Sequence, residues 1–145
     1  MIRTFEKPDT EQVMRIWLNG NREAHSFIPE RYWRQNLAQV QSQLLQAEVL
    51  VCEVGGQIQG FLGMTGDWIA GMFVDAEFRS LGVGKQLLDC AKQLHSVLSL
   101  SVYQKNRRAI GFYLREGFEM LSQGMDEDTG EGEYTMIWKK QEVVC

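Results

Sequence analysis

Arg79-Ser80-Leu81-Gly82-Val83-Gly84-Lys85 joins an apolar, strand-like run, Trp68–Val74, to a helix-like run that begins at Gln86. Two glycines one residue apart let the main chain approach an anion without interference from Cβ atoms. The free N–H groups of the following helical turn add donors at the positive end of the helix dipole. The chemistry open to such a loop is to hold a phosphate or pyrophosphate. Two nucleotide-binding loops fail on residues that their mechanisms need. A dinucleotide fingerprint requires a third glycine where Leu87 stands, and a Walker loop requires glycine where Arg79 stands and a hydroxyl where Gln86 stands.

A second constellation lies downstream. Residues 102–106 close an apolar strand, and 107–116 read as a short helix with Ala109, Ile110 and Tyr113 at i, i+1 and i+4. Gly117 falls where a helix C-cap belongs and is followed by Phe118. Asn106, directly before the helix, is a preferred N-cap residue. Tyr113 fits a core position on an amphipathic helix, and its phenol, with an ordinary pKa of about 10, is equally a proton source at neutral pH.

Arg79-x-x-Gly82-x-Gly84, between a strand and an amphipathic helix, resembles motif A of the GNAT superfamily of acyl-CoA N-acyltransferases. The string Val102-x-x-x-Asn106-x-x-Ala109-x-x-Phe112-Tyr113-x-x-x-Gly117-Phe118 resembles motif B of the same superfamily. The two occur in the right order at a compatible separation, and the resemblance extends over essentially the full chain. It looks most like the small stand-alone bacterial members, some of which acetylate protein lysines. The resemblance implies transfer of an acetyl group from acetyl-CoA to a primary amine of a protein lysine, a peptide or a small amine, by direct attack. A noncatalytic acyl-CoA sensor is the alternative, and the presence of Asn106 and Tyr113 leans against it.

The resemblance also implies roles for individual residues. Acetyl-CoA would lie in a wedge between two parallel strands, 68–74 and 98–103, with the backbone of Met72, Phe73 and Val74 meeting the pantetheine amides. The pyrophosphate would sit on the N–H groups of Leu81, Gly82, Val83, Gly84 and Lys85, with Arg79 adding charge. Phe73 and Val74 fit core strand positions too, and Arg79 and Lys85 fit solvated surface charges. Asn106 would cap its helix and meet the pantetheine or the phosphates, and Tyr113 would protonate the leaving sulfur. For removal of the amine proton His25, Asp67, Tyr103, Glu131 and Glu133 are all conceivable. His25 is the first choice, since its ordinary pKa of about 6.5 suits the task and its loop borders the expected acceptor pocket.

The elements that must position these residues are legible from periodicity. Residues 2–5 read as a strand, and Asp9 with Gln12 makes an approximate capping box for a helix carrying Val13, Ile16 and Trp17 on one face. Residues 31–46 place Trp33, Leu37, Val40 and Leu44 on one stripe, which predicts a single second helix. Gly55-Gly56 turns one hairpin strand, 48–54, into the next, 57–64. The helix after the glycine loop is expected to turn Leu87, Leu88, Ala91 and Leu94 inward, and the last hairpin to run to Leu121 and from Tyr134 to Trp138. The resulting order is βααβββαβαββ. It implies an α/β (α+β) GNAT fold, a mixed twisted sheet of about seven strands with helices on both faces.

With 145 residues, 44% of them hydrophobic, one domain over 1–145 is expected. A formal charge of −4 offers no basic stripe, which argues against a nucleic-acid partner. Cys52, Cys90 and Cys145 form no C-x-x-C pair and fit reduced thiols in a cytosol; His25 and His95 have no ligand partners at metal spacing, so no metal is expected. The first eight residues lack the apolar run of a signal peptide, and no segment is long enough to span a membrane. The expectation is a cytoplasmic protein without a membrane partner, its oligomeric state open between monomer and homodimer. Asp126, Glu127, Asp128, Glu131 and Glu133 crowd the last turn, either as a solvated tip or as a field favouring cationic acceptors.

Overall fold

Strand alternation divides the molecule into two faces. Along Val97–Tyr103 (β5), Leu98, Leu100 and Val102 are buried in one core, while Tyr103 packs with the other. The computed structural model describes residues 1–141. Its strands are Ile2–Thr4 (β1), Glu48–Val54 (β2), Gln57–Thr65 (β3), Trp68–Val74 (β4), β5, Glu119–Met125 (β6) and Gly132–Lys139 (β7). They form one sheet in the order β1-β2-β3-β4-β5-β7-β6, in which β4 and β5 are parallel and all other neighbours antiparallel. Helices Thr10–Ala24 (α1), Glu30–Gln35 (α2) and Leu37–Leu44 (α3) build a core of Val13, Ile16, Trp17, Trp33 and Leu44 with Val49, Val51 and Phe61 from the sheet. Helix Val83–Leu94 (α4) and helix Arg107–Arg115 (α5) supply Leu87, Leu88, Ala91 and Tyr113 to the core on the opposite face.

The expected order holds, with one more helix than the periodicity implied. Residues 31–46 divide at Asn36, whose side-chain amide donates to Tyr32 C=O at 2.6 Å. That carbonyl is the i−4 acceptor a continuous helix would need, and the Asn36 N–H turns to Trp33 C=O instead. Five other details differ. The capping box sits one turn earlier than Asp9/Gln12, with Asp9 Oδ2 accepting from Glu6 N–H at 2.8 Å and Gln12 bound to Ile58 N–H across the core. Helix α4 begins at Val83, because Gln86 N–H already bonds to Gly82 C=O. Leu94, at its last turn, is exposed rather than inward. Strand β6 continues to Met125, and Glu133 belongs to β7 rather than to the acidic turn.

A bulge in β4 interrupts its register with β3. Gly63 pairs with Gly71 but Met64 pairs with Ile69, which leaves Ala70 as an extra residue. The bulge lets Ile69 and Met72, three apart, pack on the same core, while Phe73 turns to the other face beside Phe61. There the Phe73 ring fills the space that Gly20 leaves empty: a Cβ on Gly20 would lie 2.6 Å from Phe73 Cδ1. Gly71 closes the ring's other edge, with a hypothetical Cβ 2.9 Å from Cε2. Gly20→Ala gains about 1 kcal/mol of helix propensity but overpacks a ring that has little room to move, and a net loss of about 1–2 kcal/mol is expected. Urea midpoints check it, and Phe73→Leu in the same chain should restore part of the loss.

Candidate active site

Strands β4 and β5 pair only at Trp68↔Ser99 and Ile69↔Leu100, then separate. On its other edge β4 stays paired with β3, and Asp75 N–H donates to Gln59 C=O at 2.8 Å. Peptide groups alternate along a strand, so those of Gly71 and Phe73 face β3 with Asp75, and those of Met72 and Val74 face the gap. Of the three residues expected to meet a ligand's amides, Phe73 therefore has its peptide group committed to β3 and contributes its ring to the wall. The gap opens into a cleft of about 960 Å³.

The glycine loop forms one end of this cleft. Ser80 and Gly82 take left-handed conformations, with φ of 66° and 82°, and the conformation at Ser80 is one that a non-glycine residue adopts at a cost of about 1 kcal/mol. The amides of Val83, Gly84 and Lys85 precede the first intrahelical bond and point out of the helix end. A Cβ on Gly84 would meet only ordinary contacts, the nearest at 3.5 Å to Met72 Cε, so packing within the chain does not require glycine there. Close approach from outside the chain does, which is what a phosphate on these amides demands. Arg79 Nη2 pairs with Glu23 at 2.6 Å, and Lys85 Nζ with Glu116 at 3.1 Å, whose hydrogen bond raises the Lys85 pKa. Both side chains line the cleft; Leu81 does not and is exposed.

Helix α5 holds Tyr113 against the other strand. Asn106 Oδ1 accepts from Ala109 N–H at 3.3 Å and caps the helix start. At its end Gly117, with φ of 94°, lets Phe118 N–H reach Tyr113 C=O at 3.0 Å and Gly117 N–H reach Leu114 C=O at 3.2 Å. This is the paired closure that a left-handed C′ glycine permits, and it brings the Phe118 ring to 5.3 Å from that of Tyr113. Tyr113 is buried, and burial pushes its phenol pKa well above the ordinary value. It is a neutral proton donor over the whole physiological range.

His25 lies across the gap, on the α1 face. Asn21 is buried, and its Nδ2 donates to Trp17 C=O at 2.9 Å, which leaves Oδ1 to accept from His25 Nδ1–H at 3.0 Å. His25 Nε2 then accepts from Asn106 Nδ2 at 3.3 Å. This chain of bonds fixes His25 as the neutral tautomer, and burial lowers its pKa to about 4. Both ends of the Asn106 side chain are thereby engaged within the protein, and the free lone pair expected of a base at His25 is directed at Asn106. The ring also packs 4.9 Å from Tyr103 and 5.5 Å from Trp33.

The structure thus gathers Met72, Phe73, Val74, Arg79, Gly82, Val83, Gly84, Lys85, Asn106, Tyr113 and His25 around one cleft. Sequence reasoning missed Asn21, which a buried-face asparagine four residues before His25 could have signalled. Trp33 lines the same cleft, and its Nε1–H is a buried donor with no acceptor among the described residues. No group of three His, Cys, Asp or Glu side chains among those residues converges on a metal position, and none of their helices is long and apolar enough to cross a membrane.

A carrier with phosphates for the loop and amides for the edge of β4, ending in a reactive group near Tyr113, fits this cleft. Coenzyme A has that constitution, and the fold and cleft together define an acetyl-CoA-dependent N-acyltransferase. The family described as Acetyltransferase (GNAT) domain matches residues 46–120. Over 140 residues the chain is 34% identical to the peptidyl-lysine N-acetyltransferase YiaC of Escherichia coli (strain K12), with 95% of this chain and 96% of that protein covered. The chain belongs to the GNAT family of acetyl-CoA-dependent acetyltransferases. In fold it resembles apo-form YjaB from Escherichia coli, with a TM-score of 0.85 at 24% identity over 97% of this chain and 98% of that one. It likewise resembles yncA from Salmonella typhimurium, solved with acetyl-CoA, with a TM-score of 0.70 at 20% identity over 100% and 96%.

This geometry leads to two expected outcomes. Acetyl-CoA at ~100 times its dissociation constant should stabilise the protein by about 2.7 kcal/mol, read as a rise in melting temperature. Gly84→Glu should abolish the rise, and a folded variant that responds like wild type contradicts the phosphate assignment. The second outcome concerns His25. Between pH 6.5 and about 4 the unfolded chain binds the His25 proton and the folded chain does not, so stability falls as pH falls through that window. His25→Gln should remove about 2 kcal/mol of this acid sensitivity between pH 7 and pH 4.5, measured as the difference in urea midpoints.

Proposed function

We propose that this enzyme acetylates the ε-amino group of lysine side chains in peptides or proteins. The observation that carries the reading is that the rim beside His25 already holds a primary ammonium. Lys105 Nζ lies 5.2 Å over the Phe27 ring and 2.9 Å from Glu131 Oε1. Aromatic faces and carboxylates are the pairing that attracts alkylammonium groups. Asp126 and Asp128, bound to the hydroxyls of Tyr103 and Tyr32, extend the same field. The YiaC relative, at 34% identity, bears a name for that activity.

Acetyl-CoA supplies a thioester whose carbonyl carbon an amine attacks while the thiolate departs. The amides of Val83, Gly84 and Lys85, with Arg79 and Lys85 beside them, hold the phosphates. The peptide groups of Met72 and Val74 take the carrier's amides, and one of the two N–H groups polarises the carbonyl, a contribution of ~3–4 kcal/mol in acyl transfer. Tyr113 gives its phenolic proton to the sulfur. His25 keeps Asn106 in place. Cytoplasmic acetyl-CoA is the natural supply, and the free thiols of Cys52 and Cys90 suit that compartment.

Free CoA release and mass spectrometry of a lysine peptide test the reading together. Tyr113→Phe should lower kcat by about 10²-fold or more with acetyl-CoA affinity nearly unchanged. A lysine peptide left unmodified by the wild-type enzyme contradicts the acceptor, and full turnover by the variant returns Tyr113 to a packing role.

A further inference from the structure

We propose that Glu133 is the base that removes the proton from the acceptor ammonium. The inference rests on the lysine acetyltransferase reading and assigns the one step that reading leaves without a residue.

Position is the first argument. Tyr103 and Glu133 are direct partners in the β5–β7 register, so their side chains stand on the same face of the sheet. That face is the one on which His25 packs against Tyr103. Both Tyr103 and Glu133 line the cleft. Tyr113, by contrast, joins the core on the α4 face. Donor and base thus approach the gap between β4 and β5 from opposite faces of the sheet.

Availability is the second. The carboxylates that line the cleft are those of Glu23 and Glu133. Glu23 is held by Arg79, whereas no cation lies within ion-pair distance of Glu133 among the described residues. His25 is occupied at both nitrogens. Tyr103 donates to Asp126 at 2.6 Å, and burial keeps its phenol protonated, so it is no base by itself.

Basicity is the third. Desolvation raises the Glu133 pKa, and the charge of Asp126, anchored by the Tyr103 hydroxyl, raises it further. A carboxylate pushed upward is a better match for an amine whose pKa is about 10.4. The other charged or titratable groups on the walls are His25 from α1, Lys85 of the glycine loop, Lys105 after β5, and Arg107, Arg108, Tyr113 and Arg115 of α5.

The protons balance. Glu133 takes one proton from the ammonium and releases it to solvent. The neutral nitrogen forms its bond to the acetyl carbon as the C–S bond breaks. Tyr113 protonates the sulfur, and the second proton lost from nitrogen restores the phenol.

The test is kcat/KM for a lysine peptide between pH 6.5 and pH 9.5, with acetyl-CoA present and CoA release as the readout. For Glu133→Gln the expected deficit is about 10²-fold or more at pH 7 and falls to about 10-fold or less at pH 9.5, where about a tenth of an amine with pKa about 10.4 is already neutral in solution. A peptide offering only an α-amino group, with a pKa of about 7.7–8, should show a smaller deficit at pH 7 than the lysine peptide. The melting shift with acetyl-CoA should match wild type. A deficit equal at all pH values, or none, overturns the assignment while an active wild type keeps the acetyltransferase reading intact. If Glu133→Gln shows no folded transition, Glu133→Asp, which keeps the charge and withdraws the carboxylate, must show the same pH-dependent deficit, and a flat one overturns the proposal. A wild type inactive toward both peptides overturns the two readings together.

Discussion

Parallel strands that pair at Trp68↔Ser99 and Ile69↔Leu100 and then part leave the peptide groups of Met72 and Val74 without a strand to bond. An amide that a ligand desolvates without bonding costs about 1–3 kcal/mol, so the open edge favours a ligand with acceptors of its own. The extra residue at Ala70 shifts the alternation of β4, and α1 on one face and α4 on the other pack against that strand. A ligand with amides of its own relieves the deficit. The recognition surface is therefore main chain, built before any ligand arrives, and its geometry is set by two well-packed cores rather than by side chains free to move.

Because the opening lies within the sheet, the cleft has access to both faces, and the chemistry divides accordingly. The α4 face supplies the phosphate loop and Tyr113, a phenol kept protonated by burial. On the α1 face, where the proposed reaction puts the acceptor, Tyr103, His25 and Phe27 pack edge to face and the carboxylates of Asp126, Glu131 and Glu133 gather. The His25–Asn106 contact spans 81 residues and ties the end of α1 to the start of α5. A neutral histidine at that junction is a positioning device, and its low pKa is the consequence of burial without an anion beside it.

Local chemistry made half of this legible in the sequence. The Gly82/Gly84 loop, the Asn106 cap and the Gly117–Phe118 closure each depend on a few neighbouring residues, and each stands where the residue types predicted. Features set by partners far along the chain were hidden. Nothing in residues 68–74 marks Ala70 as the bulge, since the bulge is defined by the β3 register, and so the commitment of the Phe73 peptide group could not be read. Asn36 breaks a helix whose apolar stripe is intact, through a single side-chain bond to Tyr32. The expectation for His25 rests on its ordinary pKa, and Asn21 and Asn106 change that environment from opposite ends of the fold. Arg79 is legible as a cation near the phosphates but not as the partner of Glu23.

Amide hydrogen exchange along β4, resolved residue by residue with and without acetyl-CoA, tests the open edge most directly. The Phe73 amide, bonded to β3, should exchange slowly in both states. Those of Met72 and Val74 should exchange quickly in the free protein and slow by at least about tenfold when acetyl-CoA binds, a change worth about 1.4 kcal/mol. Slow exchange at Met72 and Val74 without ligand, or no change on binding, contradicts the account.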